Sequence, residues 1–323
     1  MTAQAGGGGA NLHVYYMPNP TLSLPAHYGG VFAYDAFEKF KPILAELHEM
    51  KILSPKKEIA VNQDRYTLYA KHRTTFSARL DDLKRWFELL DADSVPYETL
   101  VPEKLENYKL ILPNILDEVI SLENLELYDR AVRHGAAMII TANTGKFVPE
   151  LGPEPFQLLK KFGIEVPVSN YCRNGMAVTA TAEKNVSPML FRPGQKIAFQ
   201  TADTFHAQLN SEEIRKNFLW YPYRWIPETD YFGYYPGQKI TSGRVLAEFN
   251  DGGAAVSIHP VGKGHVIVFW GSPDIGDRNL SGMMSRAADW AGVKNPLKKN
   301  PFRSISEGKN TTLNRHYLMA FQE

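Results

Sequence analysis

The sequence predicts an α/β fold built around a parallel sheet, on three observations. Residues 97–145 alternate short apolar runs with one amphipathic helix. Two of those runs, YKLIL at 108–112 and AMIIT at 137–141, are apolar without alternation, as strands covered on both faces are. Helical segments between short strands imply right-handed crossovers and parallel pairing.

Taken in order, the first 27 residues include a glycine run (MTAQAGGGGANLH) and read as a disordered or extended tail. Residues 28–50 open with aromatic side chains and then turn helical, because Phe37, Phe40, Ile43, Leu44 and Leu47 recur at three- and four-residue spacing. Pro55 breaks the pattern, and KEIAVNQ at 57–63 reads as the first strand of the α/β region. Residues 75–90 carry Phe76, Leu80, Leu83, Phe87 and Leu90 on one face with charges between them, an amphipathic helix. Pro96 marks entry to a strand at 97–100. The helix at 122–134 ends before Gly135, which suits the positive-φ position after a C-terminus.

Beyond Gly163 the pattern changes to strands at 177–182, 197–200, 245–249, 254–259 and 265–270. The last three are joined by Asn250-Asp251-Gly252-Gly253 and Gly262-Lys263-Gly264, both tight-turn sequences, and read as an antiparallel meander. A helix at 280–291 follows, closed by Gly292. Residues 315–322 resemble a final strand with nothing after it to pair with.

Composition narrows the function. At 323 residues the chain can bury one large core or two modest ones, and 44% hydrophobic with 22% charged residues is ordinary for a soluble globular protein. A net charge of +1 lacks the basic footprint of a nucleic-acid binder. One cysteine, Cys172, rules out an intrachain disulfide and a thiolate cluster, and reads as a small half-buried hydrophobe. Neither an apolar run of membrane-spanning length nor a secretory signal is visible, so a cytoplasmic location is expected.

The order of segments resembles β-galactosidase-like glycoside hydrolases. The strongest points of similarity are VPEKLENYKLILPNI at 101–115 and AVRHGAAMIITANTG at 131–145, with RVLAEFNDGGAAVSIHPVGKGHVIVFWGSPDI at 244–275. Residues 28–55 resemble a helical remnant of the catalytic barrel of such enzymes. Residues 56–300 look like the domain that follows, often called the trimerisation domain, with 171–243 as a β-rich aromatic insertion. RHYLMAFQE, within 301–323, is similar to the first strand of the small β-domain that ends them. The resemblance implies a flavodoxin-like, class I glutamine-amidotransferase-like three-layer sandwich. It also implies a homo-oligomer, a trimer among the options, and a role in assembly or at the rim of a sugar site. The barrel with its catalytic glutamates would precede Tyr28, so no catalytic residue carries over and no catalysis by this chain alone is expected.

Residue by residue, the chemistry is sparse. Cys172 in NYCRNG is not in a Gly-x-Cys-x-Gly elbow, and the turn after AMIIT reads ANTGKF without a thiol. Gly271 opens GSPDIG, which has the wrong spacing for a serine elbow. Asp117 and Glu118 read as the solvated start of a helix, where negative charge is favoured. Asp203 and His206 in TADTFH, three apart, are a polar pair that can meet on a turn, although capping is the commoner use. The nine histidines form no His-x-His or His-x-x-x-His pair, so neither metal nor cofactor is expected. Gly262-Lys263-Gly264 lacks the rest of a phosphate loop.

One aromatic segment, FLWYPYRWIPETDYFGYYPG at 218–237, has positive signal. Trp220, Tyr221, Tyr223, Trp225, Tyr231, Tyr234 and Tyr235 can stack on sugar rings, with Arg224 and the phenols bonding hydroxyls. The same composition suits a protein interface, or a loop packing on itself. The sequence leaves these three open. Its functional reading is a non-catalytic assembly module that contacts a galactoside or other saccharide. The alternatives are an independent hydrolase or amidase and a stand-alone sugar-binding protein.

Overall fold

A computed structural model of the chain describes residues 51–52, 57–62, 64, 66, 90, 95, 97–99, 102–114, 117–170, 172, 178–182, 190–199, 233–273, 280, 282–294 and 321–322. The predicted helix at 37–50, and all of that at 75–90 except Leu90, lie outside these residues. The chain divides into two units, Lys57–Lys294 and a second made of Met1–Lys56 with Asn295–Glu323.

In the first unit the strands are β1 (Ile59–Asn62), β2 (Glu98–Thr99), β3 (Leu110–Pro113), β4 (Ala137–Thr141), β5 (Val178–Ala182), β6 (Lys196–Phe199), β7 (Arg244–Phe249), β8 (Ala254–Val261) and β9 (Gly264–Phe269). Its α-helices among the described residues are α1 (Leu122–His134), α2 (Gln157–Phe162) and α3 (Met283–Trp290). These nine strands form one mixed sheet in the order β2-β1-β3-β4-β9-β8-β7-β5-β6. From β2 to β9 every pairing is parallel, and from β9 to β6 every pairing is antiparallel.

The apolar composition of the strands explains the parallel half. Every residue of β1, β3 and β4 is buried, which requires cover on both faces. Each fully buried Ile or Leu there contributes about 1.5–3 kcal/mol relative to exposure. Helix α1 supplies part of the cover through Leu125, Tyr128, Ala131 and Val132. Ser121 caps it, accepting from the Asn124 amide at 3.3 Å, and Gly135 follows it with φ 129°.

The meander forms as its turn sequences predict. Asp251 accepts the Gly253 amide at 2.8 Å within the β7–β8 turn, and Gly252 takes φ 79°. The β8–β9 turn is two residues, Gly262-Lys263, and returns the chain into β9 beside β4. Strands β5 and β6, from the region read as a β-rich insertion, extend this same sheet at its antiparallel edge.

Two sequence expectations are corrected. Helix α3 is shorter than 280–291, because Gly282 at φ 76° starts it late. The β2 strand is two residues rather than four. In the second unit, Phe321–Gln322 forms a strand within the range read at 315–322 and pairs antiparallel with Lys51–Ile52. That partner comes earlier in the chain, where apolar periodicity had suggested only the end of a helix.

Two outcomes follow from this packing. A Cβ on Gly264 would lie 2.2 Å from the carbonyl oxygens of both Ala136 and Val132, so Gly264→Ala forces backbone apart. Overpacking of this kind lowers stability by about 1–3 kcal/mol, read as a lower urea midpoint. At the β2 edge, the Tyr108 hydroxyl donates to Glu98. Burial first, then this bond and the Glu98 charge, push the phenol from 10.0 up to about 12. The folded value exceeds the unfolded one, so the stabilisation is complete below the unfolded value and is lost as pH rises through the folded one. Phenolate absorbance of Tyr108, isolated by comparison with Tyr108→Phe, should emerge near the higher pH.

Candidate functional site

In open parallel sheets the crevice beyond the C-terminal strand ends is where ligands usually bind. Here the ends of β1, β3 and β4 deliver Asn62, Asp64, Asn114, Asp117, Glu118, Thr141, Asn143 and Thr144, all buried. Such a concentration of buried polar groups at a sheet end is the most site-like feature of the described residues.

Asp64 lies at its centre and is 0% exposed. Its Oδ2 accepts the Ser121 amide at 2.7 Å, the Ser121 hydroxyl at 2.7 Å and the Asn124 Nδ2 at 2.6 Å. Its Oδ1 accepts the Tyr66 amide at 2.7 Å. The carboxylate thus sits at the N-terminus of α1, where orphan N–H groups and the helix dipole both favour an anion. Glu150 supplements it, accepting the Leu122 amide at 3.2 Å and the Tyr66 hydroxyl at 3.0 Å.

The remaining groups knit the strand ends together. The Asp64 amide donates to Asp117 Oδ2 at 3.2 Å, and Asn62 Nδ2 donates to the Tyr128 hydroxyl at 2.8 Å. Burial first, then the negative charges of Asp117 and Asp64, push the Tyr128 phenol well above its ordinary value, against the opposing bond from Asn62. The backbone of the β3–α1 connection also pairs with the segment after β4, with the Gly145 amide on Asp117 O at 2.6 Å and the Phe147 amide on Glu118 O at 2.9 Å. Thr144 Oγ1 accepts the Thr141 amide at 3.1 Å, and the Tyr235 hydroxyl donates to Asn143 Oδ1 at 2.5 Å.

Chemically, this is a clasp. Glycoside cleavage needs two carboxylates facing a saccharide across a gap of roughly 5–9.5 Å. Asp64 and Asp117 are both 0% exposed and Glu118 is 2% exposed, so none of the three presents its carboxylate to a substrate in this arrangement. Among the described residues no group of three or more His, Cys, Asp or Glu is placed to hold a metal ion. The reading of Asp117 and Glu118 as a solvated helix start is therefore overturned. They precede the helix, in the β3–α1 connection, and are buried there.

Of the aromatic segment, Trp220, Tyr221, Tyr223, Arg224, Trp225 and Tyr231 lie outside the described residues, as do Asp203 and His206. Tyr234 is described. Its backbone bridges Cys172 and Gly271, and its ring lies 4.8 Å from that of Phe249. Burial first, then Cys172, push its phenol up. Cys172 is half-buried, as expected. Tyr235 is 2% exposed, with its ring edge-on to Phe156 at 6.1 Å. These two tyrosines are thus part of the fold. The Asp64 clasp was missed in the sequence, where the only local signal was Ser121 three residues before Asn124 at a helix start.

No family model matches the sequence. No curated protein matches it. Solved structures do. The β-galactosidase from Bacillus circulans sp. alkalophilus superposes with a TM-score of 0.55 at 15% identity, covering 80% of this chain and 35% of that one. The chain's fold is like part of a β-galactosidase. Gan42B, a GH42 β-galactosidase from G. stearothermophilus, gives 0.55 at 13% identity, covering 80% and 34%. The enzyme from Rahnella sp. R3 gives 0.54 at 12% identity, covering 81% and 35%. The chain thus spans about a third of the length of these β-galactosidases. No helix among the described residues is long and apolar enough to cross a membrane.

The clasp makes a direct prediction. Asp64→Ala removes the acceptor from four buried donors, each of which costs about 1–3 kcal/mol when left unsatisfied. Allowing for partial relaxation, the variant should lose about 3 kcal/mol or more in chemical denaturation. Asp64→Asn, which keeps the shape but turns one acceptor into a donor, should lose less.

Proposed function

We propose that this chain is a non-catalytic assembly module of a β-galactosidase-like glycoside hydrolase, with a class I glutamine-amidotransferase-like core. The observation that carries the reading is the shared fold, which accounts for most of this chain but only a third of each β-galactosidase. A part that small, at a sheet end closed by its own hydrogen bonds, serves scaffold and contact better than bond cleavage.

The strand order supports the finer assignment. The five parallel strands run β2-β1-β3-β4-β9, which is the 2-1-3-4-5 order of flavodoxin-like sheets once β9 is counted as the fifth. The antiparallel strands β5 to β8 then extend one edge, and in the sequence the aromatic segment at 218–237 falls between β6 and β7. In this proposal Trp220, Tyr221, Tyr223, Arg224, Trp225 and Tyr231 supply a contact surface, because Trp, Tyr and Arg carry most of the energy at interfaces. The partner is a second copy of the chain, with a saccharide at the rim.

The experiment is to purify the chain, measure its mass by sedimentation and assay it on nitrophenyl galactosides. A mass above that of the 36.4 kDa monomer, with no turnover, is expected. Replacing Trp220 and Trp225 together by Ala should shift the chain toward monomer without changing its urea midpoint. Hydrolysis by the pure chain would overturn the assignment, and a strict monomer would remove the assembly role.

A further inference from the structure

On the antiparallel side of the sheet lies a second polar cluster, unconnected to the clasp. His259, on β8, is 1% exposed. Its Nε2 is 2.7 Å from Ser257 Oγ, and Ser257 Oγ accepts the Trp270 indole N–H at 2.8 Å. Its Nδ1 is 2.9 Å from Ser242 Oγ, which donates to Glu165 Oε2 at 2.6 Å. Glu165 Oε1 accepts the Thr241 amide at 2.5 Å, the Thr241 hydroxyl at 2.6 Å and the Ser242 amide at 2.5 Å.

The hydrogens in this chain can be assigned from its two ends. Trp270 can only donate, so Ser257 accepts from it and gives its own proton to His259 Nε2. Glu165 as carboxylate can only accept, so Ser242 donates to it and accepts from His259 Nδ1. The imidazole is thus neutral with its hydrogen on Nδ1, and every link points from Trp270 towards Glu165. The constellation superficially matches a serine nucleophile with its base, but Ser257 is 0% exposed and unreachable.

A proton added to His259 Nε2 has no place in that chain. The ring would then donate to Ser257, which already accepts from Trp270, and the buried Ser257 proton would lose its acceptor. The cross-strand neighbours on that face are Val266, opposite His259, with Val268 and Val245 opposite Ser257; none of these titrates. Among the described residues the charged group acting on the ring is Glu165, whose Oε2 is 3.8 Å from Nδ1. On the Ser242 side the backbone lies tight against the ring, since a Cβ on Gly243 would lie 2.3 Å from the Ile258 carbonyl oxygen and 2.7 Å from His259 Nδ1, while Ser242 itself is exposed, so opening there brings water to the ring.

We propose that Trp270, Ser257, His259, Ser242 and Glu165 form a proton-sensitive latch that fastens the segment after α2 to the entry of β7 at neutral pH and releases it in acid. Burial lowers the His259 value below the ordinary 6.5, with Glu165 opposing it. Burial also works upward on Glu165, but the bonds from Ser242 and Thr241 outweigh it and bring the carboxyl from 4.5 down to about 2. Glu165 therefore stays charged while His259 decides the response. The folded histidine value is below the unfolded one, so the open state binds the extra proton. The latch is fully closed above about pH 6.5 and weakens as pH falls towards the folded value, by up to about tenfold in opening constant per pH unit.

The test is nitrogen and amide-exchange NMR on the full chain. The neutral His259 ring should show its hydrogen on Nδ1 and a midpoint below that of an ordinary histidine. Protection of the Thr241 and Ser242 amides, corrected for intrinsic exchange, should fall by several-fold to about tenfold for each pH unit below 6.5. Ser242→Ala cuts the link between ring and loop, so its amide protection at Thr241 should lose this pH dependence while the sheet remains folded. A hydrogen on Nε2, a midpoint at or above the ordinary value, or unchanged pH dependence in Ser242→Ala would each overturn the proposal.

Discussion

A buried carboxylate must be given donors, and the demands of Asp64 organise one end of this sheet. Stripping an ion of water costs several kcal/mol unless charge-assisted hydrogen bonds replace the solvent. Here the replacements come from Tyr66, Ser121 and Asn124, which tie the end of β1 to the start of α1. Fixing α1 in turn sets Tyr128 and Val132 over the strands and brings its C-terminal turn against Gly264. The same crevice that holds ligands in many parallel sheets is thereby filled with the protein's own polar groups.

Strand β9 is the other constraint. It pairs parallel with β4 through His265 to Phe269 and antiparallel with β8 along its other edge. A short glycine turn returns β9 from β8, so the antiparallel meander and the parallel core are welded into one continuous sheet. Ser257, His259 and Trp270 sit on this weld, at or beside its central strands. Their hydrogen bonds run in a single direction to Glu165, and that directionality gives the neutral imidazole a defined tautomer. The two polar clusters therefore do different things: one closes a crevice permanently, while the other can change with a single proton.

Much of the local structure was legible without coordinates. The apolar runs at 108–112 and 137–141 became β3 and β4, and the helix at 122–134 was placed to the residue, because Ser121 and Gly135 bracket its periodic face. The turn glycines at 252 and 262 marked the meander for an equally local reason, since a positive φ is cheap only for glycine. Glu98–Thr99 and Phe321–Gln322 fall inside the longer strands read at 97–100 and 315–322, whereas the two-residue strand at Lys51–Ile52 had too few residues for periodicity to register.

The sequence by itself determined the α/β class, the places of the main strands and the length of α1, because capping, turn chemistry and apolar period act between residues a few positions apart. Only the tertiary structure decided the strand order, the burial of Asp117 and Glu118, and the partners of Asp64 and His259. Asp64 meets Ser121 and Asn124 across 57 and 60 residues, and His259 reaches Ser242 across 17. A carboxylate on a solvated helix start and one sealed beneath it have the same local neighbours. What distinguishes them is which strands happen to pair beside them, and that pairing is settled by the packing of the whole sheet.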